Sequence, residues 1–174
     1  MTGREFMNTV ANGQTDVLAS LLTILEQVRA DYCVIGGLAV NAYVEPVVSL
    51  DLDVVVTATT VGEVCRIAES RGFRVEGFEH SVNLSSPQSD LRVQLQTDPR
   101  YQAFIPRAST REVLGYEMRV AALEDVLQGK AWAYMDAGRR RSKRQKDLAD
   151  ILRILETRPE LEETLPEEVR RAVE

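Results

Sequence analysis

The sequence predicts an α/β fold of the α+β type, in which a mixed β-sheet is packed with helices and followed by a C-terminal helical segment. Strand-like and helix-like segments alternate through the first two thirds of the chain, whereas the remainder has helical periodicity only. With 174 residues, of which 44% are hydrophobic, the chain can bury the core of one domain. We expect an α/β core over residues 1–121 and a helical segment over residues 122–174 packed on it.

Each element is predicted from the period of its apolar residues and from the residues that end it. Helical periodicity is found at residues 15–30, 38–44, 60–72, 122–136 and 142–157. Strand-like patterns are found at residues 32–35, 47–57, 73–78, 80–86, 91–97 and 113–121. Residues 99–111 have the pattern of a loop with a short helix. Thr15 or Asp16 is expected to cap the first helix, and Ser142 the last.

Composition excludes several classes of protein and of site. The net charge of -6 argues against general affinity for nucleic acid, and no apolar run is long enough to span a membrane. The N-terminal residues lack the basic-then-apolar layout of a signal peptide, so we expect a cytoplasmic protein. Cys33 and Cys65 lie in apolar surroundings, which favours reduced thiols over a disulfide. A single histidine excludes a His-rich metal site.

Two aspartates lie two residues apart in the strand-like segment "VVSLDLDVVVT". Because side chains alternate between the faces of a strand, Ser49, Asp51 and Asp53 share one face, and the two Cα atoms are about 6.6 Å apart. The other face is apolar and is expected to meet the core through Val48, Leu50, Leu52, Val54 and Val56. Paired carboxylates on a rigid strand suit Mg²⁺. The alternative is a solvated strand face with incidental acids.

Gly36 and Gly37 separate the preceding strand from a short helix. A strand, a glycine pair and a helix start place free backbone N–H groups and the positive end of the helix dipole at one point, which favours phosphate binding. A tight turn without a ligand is the alternative. The chain between Gly37 and Asp51 is long enough for one helix and a return strand, which brings the glycines beside the carboxylates.

The C-terminal segment contains charged residues in unusual places. Lys130 falls on the apolar stripe of its helix, so either it extends along the helix edge to solvent or it reaches the acidic site and balances the charge there. The motif "KDLAD" of the next helix, with Lys146, Asp147 and Asp150, fits surface i,i+4 ion pairs such as Lys143–Asp147.

A basic segment opens that same helix. Residues 139–146 contain six basic residues in eight, Arg144 among them. Cations at a helix N-terminus oppose the helix dipole, which favours an anionic partner such as nucleotide phosphate, RNA or an acidic protein. The alternative is that the acidic tail, residues 156–174, neutralises the segment within the chain.

The segment "GGLAVNAYVEPVVSLDLDVVV" resembles the signature of the nucleotidyltransferase superfamily, whose fold is shared with DNA polymerase beta. The resemblance covers residues 32 to about 155 and is greatest to small bacterial stand-alone proteins related to abortive-infection toxin nucleotidyltransferases. Ser49, Asp51 and Asp53 match the signature, and Lys130 followed by "KDLAD" resembles the later helical motif of that branch. Val47 stands where the branch commonly has arginine.

The family takes a third carboxylate from a neighbouring strand, and this chain departs from that pattern. The polar face of the candidate strand reads Asp90, Arg92, Gln94, Gln96 and Asp98. The position expected to be acidic is Gln94, whose carbonyl oxygen can bind a metal but which cannot act as a base. Either Asp90 or Asp98 therefore supplies the third acid, or the site lacks one.

The resemblance implies a Mg²⁺-dependent enzyme that transfers a nucleotide from an NTP to an RNA or protein acceptor, in a toxin–antitoxin or phage-defence system with a partner protein. Asp51 and Asp53 would hold the metal, and Lys130 and Asp90 would complete the catalytic set. The residues expected to contact the nucleotide are Gly36, Gly37, Ser49, Lys130 and Arg144. A non-catalytic nucleotide- or partner-binding protein on the same fold is the alternative.

Overall fold

A mixed β-sheet runs through the computed structural model, which describes residues 1–13 and 16–174. Within those residues the sheet has seven strands in the order β3-β4-β5-β2-β1-β7-β6. The strands are β1 (Tyr32–Ile35), β2 (Asp51–Val56), β3 (Arg74–Gly77), β4 (Ser81–Ser86), β5 (Ser89–Gln96), β6 (Ser109–Val113) and β7 (Tyr116–Val120). β2 pairs parallel with β5 and antiparallel with β1, and β1 pairs parallel with β7. The predicted mixed α/β architecture is confirmed.

Helices cover the sheet and form the end of the chain. They are α1 (Gly3–Val10), α2 (Val17–Val28), α3 (Gly36–Val40), α4 (Val61–Ser70), α5 (Pro99–Gln102), α6 (Leu123–Met135), α7 (Arg141–Thr157) and α8 (Glu167–Val173), with 3₁₀ turns at Ile105–Arg107 and Pro159–Thr164. α1 was not expected from the sequence, although Thr2 and Glu5 form a capping box at its start.

Of the two predicted helix caps, the structure confirms the one at the start of α2 and contradicts the one at the start of α7. Asp16 caps α2, because its side chain accepts a hydrogen bond from the backbone N–H of Ala19. Thr15, the other candidate, lies outside the described residues. The expectation that Ser142 caps α7 is wrong: that helix begins one residue earlier, and its N-cap residue, Arg140, makes no side-chain capping bond.

β2 is shorter than predicted and lies near the centre of the sheet. It begins at Asp51, and the residues before it form a connection in which the Asn41 side chain bonds both backbone groups of Val47, at 2.7 and 3.0 Å. Val48 is therefore 42% exposed, and its expected place in the core is wrong. Val55 is fully buried on the same side as Asp51 and Asp53, because β2 is covered on both faces past the aspartates.

A hairpin replaces the single strand predicted at residues 113–121. β6 and β7 pair antiparallel around Leu114 and Gly115, which both have positive φ, 50° and 83°. A two-residue turn with two positive φ angles matches the twist of a hairpin. The loop prediction for residues 99–111 is thus wrong over its last three residues, which belong to β6.

The last strand, β7, is followed directly by the helical part of the chain. α6 packs on α3 and α7, and α7 also contacts α3 and α8. This places the C-terminal helices against the glycine-containing helix that follows β1, while the division at residue 121 stays a prediction. None of the helices in the described part of the chain combines the length and apolar character that a membrane span needs.

Candidate active site

The register of three adjacent strands brings the predicted signature residues together. Asp53 lies opposite Ile35 of β1, the residue before Gly36, and opposite Gln94 of β5. Asp51 lies opposite Arg92 of β5. The end of β1, the start of β2 and the middle of β5 therefore meet at one corner of the sheet.

Gly36 allows a close approach between the β1–α3 corner and Asp53. Its φ is +75°, and a Cβ atom at this position would lie 2.4 Å from Oδ2 of Asp53. Burial raises the pKa of Asp53, the nearby Lys130 charge opposes that rise, and Asp51 adds to it. The carboxylate of Asp53 is thus a partly buried group whose ionised form gains from any further cation.

Ser49 and Gly37 form the next layer of this corner. Ser49 is 4% exposed, and its Oγ accepts a hydrogen bond from the backbone N–H of Asp51 at 3.3 Å. A Cβ atom on Gly37 would lie 3.3 Å from the same Oγ. The structure therefore brings together Gly36, Gly37, Ser49, Asp51 and Asp53, as the sequence predicts.

An arginine from β5 engages Asp51. Nε of Arg92 lies 2.7 Å from Oδ1 of Asp51, and the Arg92 side chain is 66% exposed. The sequence indicates Arg92 only as a member of a polar strand face. Its role as the partner of Asp51 follows from the parallel register of β2 and β5, which the sequence does not specify.

Lys130 lies in a buried ion cluster that joins α6 to α7. Its Nζ is 3.1 Å from Oδ1 of Asp147 and 2.8 Å from Oδ2 of Asp150, and all three side chains are at most 8% exposed. Arg139 pairs with Asp147 at 2.7 Å, and Arg153 with Asp150 at 2.8 Å. Burial lowers the pKa of Lys130, but Asp150 and Asp147 outweigh it and the net pKa is raised.

This cluster corrects the surface interpretation of "KDLAD". Asp147 and Asp150 are buried, and among the residues described neither forms the expected i,i+4 ion pair with Lys143 or Lys146. Lys130 is likewise buried and does not extend to solvent. It lines two cavities together with Asp53, so its charge faces the acidic site although its ammonium group is bonded to the α7 carboxylates.

Three adjoining cavities share Asp53 and Arg139. We name them the aromatic cavity, of about 210 Å³, the polar cavity, of about 380 Å³, and the basic cavity, of about 300 Å³. The aromatic cavity is lined by Gly36, Asp53, Gln94, Gln96, Arg100, Tyr101, Lys130, Trp132 and Arg139, among others. The polar cavity is lined by Asp51, Asp53, Glu76, Asn83, Ser85, Arg92, Gln94, Arg139 and Lys143, among others. The basic cavity is lined by Gly37, Ser49, Asp51, Asp53, Arg92, Lys130, Arg139, Arg140, Ser142, Lys143, Lys146 and Asp147.

Three of the residues that the sequence offers as site candidates lie elsewhere. Asp90 is exposed at the start of β5, where it accepts a hydrogen bond from Asn12, and it lines none of the three cavities. Asp98 caps α5. Nε of Arg144 donates to the backbone oxygen of Tyr134. Of the candidates for the third ligand, Gln94 is the residue that the structure places beside Asp53.

The donor set at this corner suits Mg²⁺. Within the described residues, no group of three or more His, Cys, Asp or Glu side chains is arranged to hold a metal ion. Mg²⁺ does not need such a group, since it commonly binds one or two carboxylates and takes its remaining ligands from water and substrate phosphates. Asp51 and Asp53 would supply the carboxylates, and the amide of Gln94, opposite Asp53 on β5, could add a third oxygen.

Comparison with solved structures finds the same fold in three proteins. The lincosamide antibiotic adenylyltransferase LnuA, bound to lincomycin, aligns with a TM-score of 0.58 at 13% identity, covering 82% of this chain and 98% of that one. ANT(2'')-Ia in complex with adenylyl-2''-tobramycin aligns with a TM-score of 0.63 at 17% identity, covering 90% and 94%. A nucleotidyltransferase-like protein from Paracoccidioides brasiliensis aligns with a TM-score of 0.52 at 20% identity, covering 86% and 75%.

Sequence comparison gives the family. No curated protein sequence matches this chain significantly. The model of the family described as "Nucleotidyl transferase AbiEii toxin, Type IV TA system" matches residues 39–174, which include Ser49, both signature aspartates and the whole helical part. The chain therefore belongs to the family of AbiEii nucleotidyltransferase toxins, and it is a nucleotidyltransferase.

Proposed function

We propose that this chain transfers a nucleotidyl group from an NTP to an RNA or protein acceptor in a Mg²⁺-dependent reaction, and that it acts as the toxin of a toxin–antitoxin pair. The observation that carries the proposal is the corner where Gly36, Ser49, Asp51 and Asp53 meet beside a cavity rich in cations. The family description supports the toxin role and the antitoxin partner.

Different residues of the site would bind the metal and the triphosphate. Asp51 and Asp53 would hold Mg²⁺ with the amide oxygen of Gln94, and the bound ion would neutralise phosphate charge and orient the reacting oxygens. Arg139 and Lys143, which line the basic cavity, would take the triphosphate. Lys130 forms ion pairs with the α7 carboxylates, and its positive charge also favours the ionised form of Asp53.

The chemistry is a displacement at the α-phosphorus. The acceptor hydroxyl oxygen attacks, the bond to the bridging oxygen of pyrophosphate breaks, pyrophosphate leaves, and the hydroxyl proton is released. Positioning and charge neutralisation dominate phosphoryl-type transfer, so a strong base is not required. The amide at Gln94 is therefore compatible with turnover, although a glutamine cannot accept the proton.

The direct test is transfer of label from α-labelled NTPs, with Mg²⁺, to cellular RNA or protein fractions. We expect transfer by the wild-type chain and none by Asp51→Ala or Asp53→Ala. Asp31→Ala is the matched control, because Asp31 is exposed at the opposite end of β1 from Gly36 and should not affect transfer. Equal labelling by the wild-type chain and the two aspartate variants would refute the proposal.

A non-catalytic binding protein is the second candidate. Gln94 in the expected acidic position and the Arg92–Asp51 ion pair favour it, because both reduce the negative charge available to a metal. Mg²⁺-dependent NTP binding in calorimetry, with no transfer to any fraction, would select this alternative over the enzymatic one.

A further inference from the structure

The aromatic cavity differs from its two neighbours in the chemistry of its wall. Tyr101 and Trp132 line it together with Asp53, whereas the described residues of the polar and basic cavities include no aromatic side chain. Nothing in the signature motifs accounts for these rings. They come from α5 and from α6, which are far apart in sequence.

The rings pack against one another and form a shelf on the cavity wall. Tyr101 meets Trp132 edge-on at 5.2 Å between centroids, and Phe104 stacks nearly parallel on Trp132 at 5.7 Å. The guanidinium of Arg100 lies 5.1 Å from the ring centroids of both Tyr101 and Trp132. Aromatic rings and arginine planes of this kind are the surfaces on which proteins stack nucleobases.

Two amide side chains from β5 face the same cavity. Gln94 and Gln96 lie on the same face of the strand and both line it. The side chain of Gln94 has no hydrogen-bond partner among the described residues, and Oε1 of Gln96 accepts from the backbone N–H of Asp98 at 3.2 Å. The NH₂ group of Gln96 is left as a donor, so it suits an acceptor atom on a ligand.

We propose that the aromatic cavity holds the nucleobase of the incoming NTP, stacked on the shelf of Arg100, Tyr101 and Trp132 and hydrogen-bonded to the NH₂ groups of Gln94 and Gln96, which leaves the amide oxygen of Gln94 for the metal. The inference rests on the proposed function, since it places the base of the same substrate whose triphosphate would lie in the basic cavity beside Asp53. The donor group of Gln96 faces a keto oxygen or a ring nitrogen of the base. The polar cavity, on the other side of Asp53 and Gln94, is left for the acceptor.

The chain offers a direct reporter, because Trp132 is its single tryptophan. We expect NTPs with Mg²⁺ to change Trp132 fluorescence in a saturable way. Inorganic tripolyphosphate should compete with NTP for binding and leave the fluorescence nearly unchanged, since it has no base to place on the shelf. Calorimetry on the same samples measures binding independently of fluorescence.

Variants distinguish the contribution of the base to NTP binding from the contribution of the phosphates. Arg100→Ala and Gln96→Ala should each weaken NTP binding on the order of tenfold and leave tripolyphosphate binding unchanged. Arg66→Ala and Gln27→Ala, at the surface of other helices, are matched controls that should change neither. Gln96→Glu replaces the donor by an acceptor, so it should shift the preference among the four NTPs towards bases with an exocyclic amino group.

The outcomes distinguish this inference from the proposed function. NTP binding in calorimetry without any Trp132 response, and with unchanged affinity in Arg100→Ala and Gln96→Ala, overturns the base site and leaves the nucleotidyltransferase proposal standing. A Trp132 response to a nucleoside monophosphate that NTP does not displace assigns the cavity to the acceptor and also overturns it. The absence of NTP binding in calorimetry overturns both.

Discussion

Replacing Lys130 by methionine tests whether the buried ion cluster holds α6 and α7 together. Methionine keeps the length of the side chain and fills similar space, but removes the charge that lies 3.1 Å from Asp147 and 2.8 Å from Asp150. Both carboxylates then stay buried with one cation fewer. We expect the variant to be folded and clearly less stable.

The size of the loss follows from the partners that remain. Removing one partner of a buried ion pair typically destabilises a protein by about 3–5 kcal/mol. Asp147 keeps its fork of hydrogen bonds from Arg139, and Asp150 keeps Arg153. Each carboxylate therefore retains one arginine, and we expect a loss near the lower limit, about 3 kcal/mol, or about 6–12 °C in Tm for a chain of this size.

Urea unfolding followed by circular dichroism measures the loss. Arg66→Ala is the control, because the Arg66–Glu63 pair is exposed and such pairs contribute about 0–1 kcal/mol. The double variant Lys130→Met with Asp150→Asn removes one buried negative charge together with the positive one, so it should recover part of the stability. A loss below about 1 kcal/mol for Lys130→Met alone would show that the cluster does not hold the helices as reasoned.

Three further predictions concern the corner itself. Gly36→Ala should weaken Mn²⁺ binding, measured by electron paramagnetic resonance, because the new Cβ would displace the Asp53 carboxylate. It should also destabilise the fold by about 1–3 kcal/mol in urea unfolding, because alanine would be strained at the positive φ of this position. Gly62→Ala, in α4 with open space around it, should instead stabilise by about 0.5–1 kcal/mol. Asp53→Asn should be more stable than the wild-type chain at pH 7. Burial raises the pKa of Asp53 in the folded state, so the ionised carboxylate destabilises the folded wild-type chain above that pKa. The difference in free energy of unfolding between variant and wild type should narrow as the pH falls through the folded-state pKa towards the ordinary value of 3.8. Urea titrations across this range give the sign, and a variant less stable at pH 7 contradicts it. Arg92→Ala should tighten Mn²⁺ binding, because Asp51 loses its counter-ion, whereas Arg92→Lys should retain part of the effect; unchanged affinity in Arg92→Ala would show that the two cations do not compete.

The signature residues could be predicted because their arrangement is local. The alternation along β2 places Asp51 and Asp53 on one side whatever the rest of the chain does. Ser49 lies in the connection just before β2 and is held there by the hydrogen bond from the backbone N–H of Asp51 to its Oγ. The glycines precede them by one short helix and a connection, so the corner follows from the segment alone. The start of β2 was missed because Val48 matches the apolar period, whereas Asn41 holds the preceding connection away from the sheet.

The residues around the corner could not be predicted because they depend on packing between distant segments. Arg92 reaches Asp51 through the parallel pairing of β2 with β5, and a shift of one residue in that register would turn Arg92 to the other face. The expectation that Asp90 lies beside Asp53 is wrong for a related reason. Gln94 is the residue opposite Asp53, and Asp90 lies four residues before Gln94 along β5, about 13 Å from it in an extended strand.

Lys130 shows the boundary between the two kinds of information most clearly. The sequence by itself determined that a lysine lies on an apolar helix stripe and that the next helix carries two acids, and it determined the family signature and the mixed α/β class. Only the tertiary structure decided that Lys130 pairs with Asp147 and Asp150 and that Tyr101 and Trp132 wall the cavity beside Asp53. Periodicity reports which face of an element is buried, but the partner of a buried charge is set by the packing of one element on another.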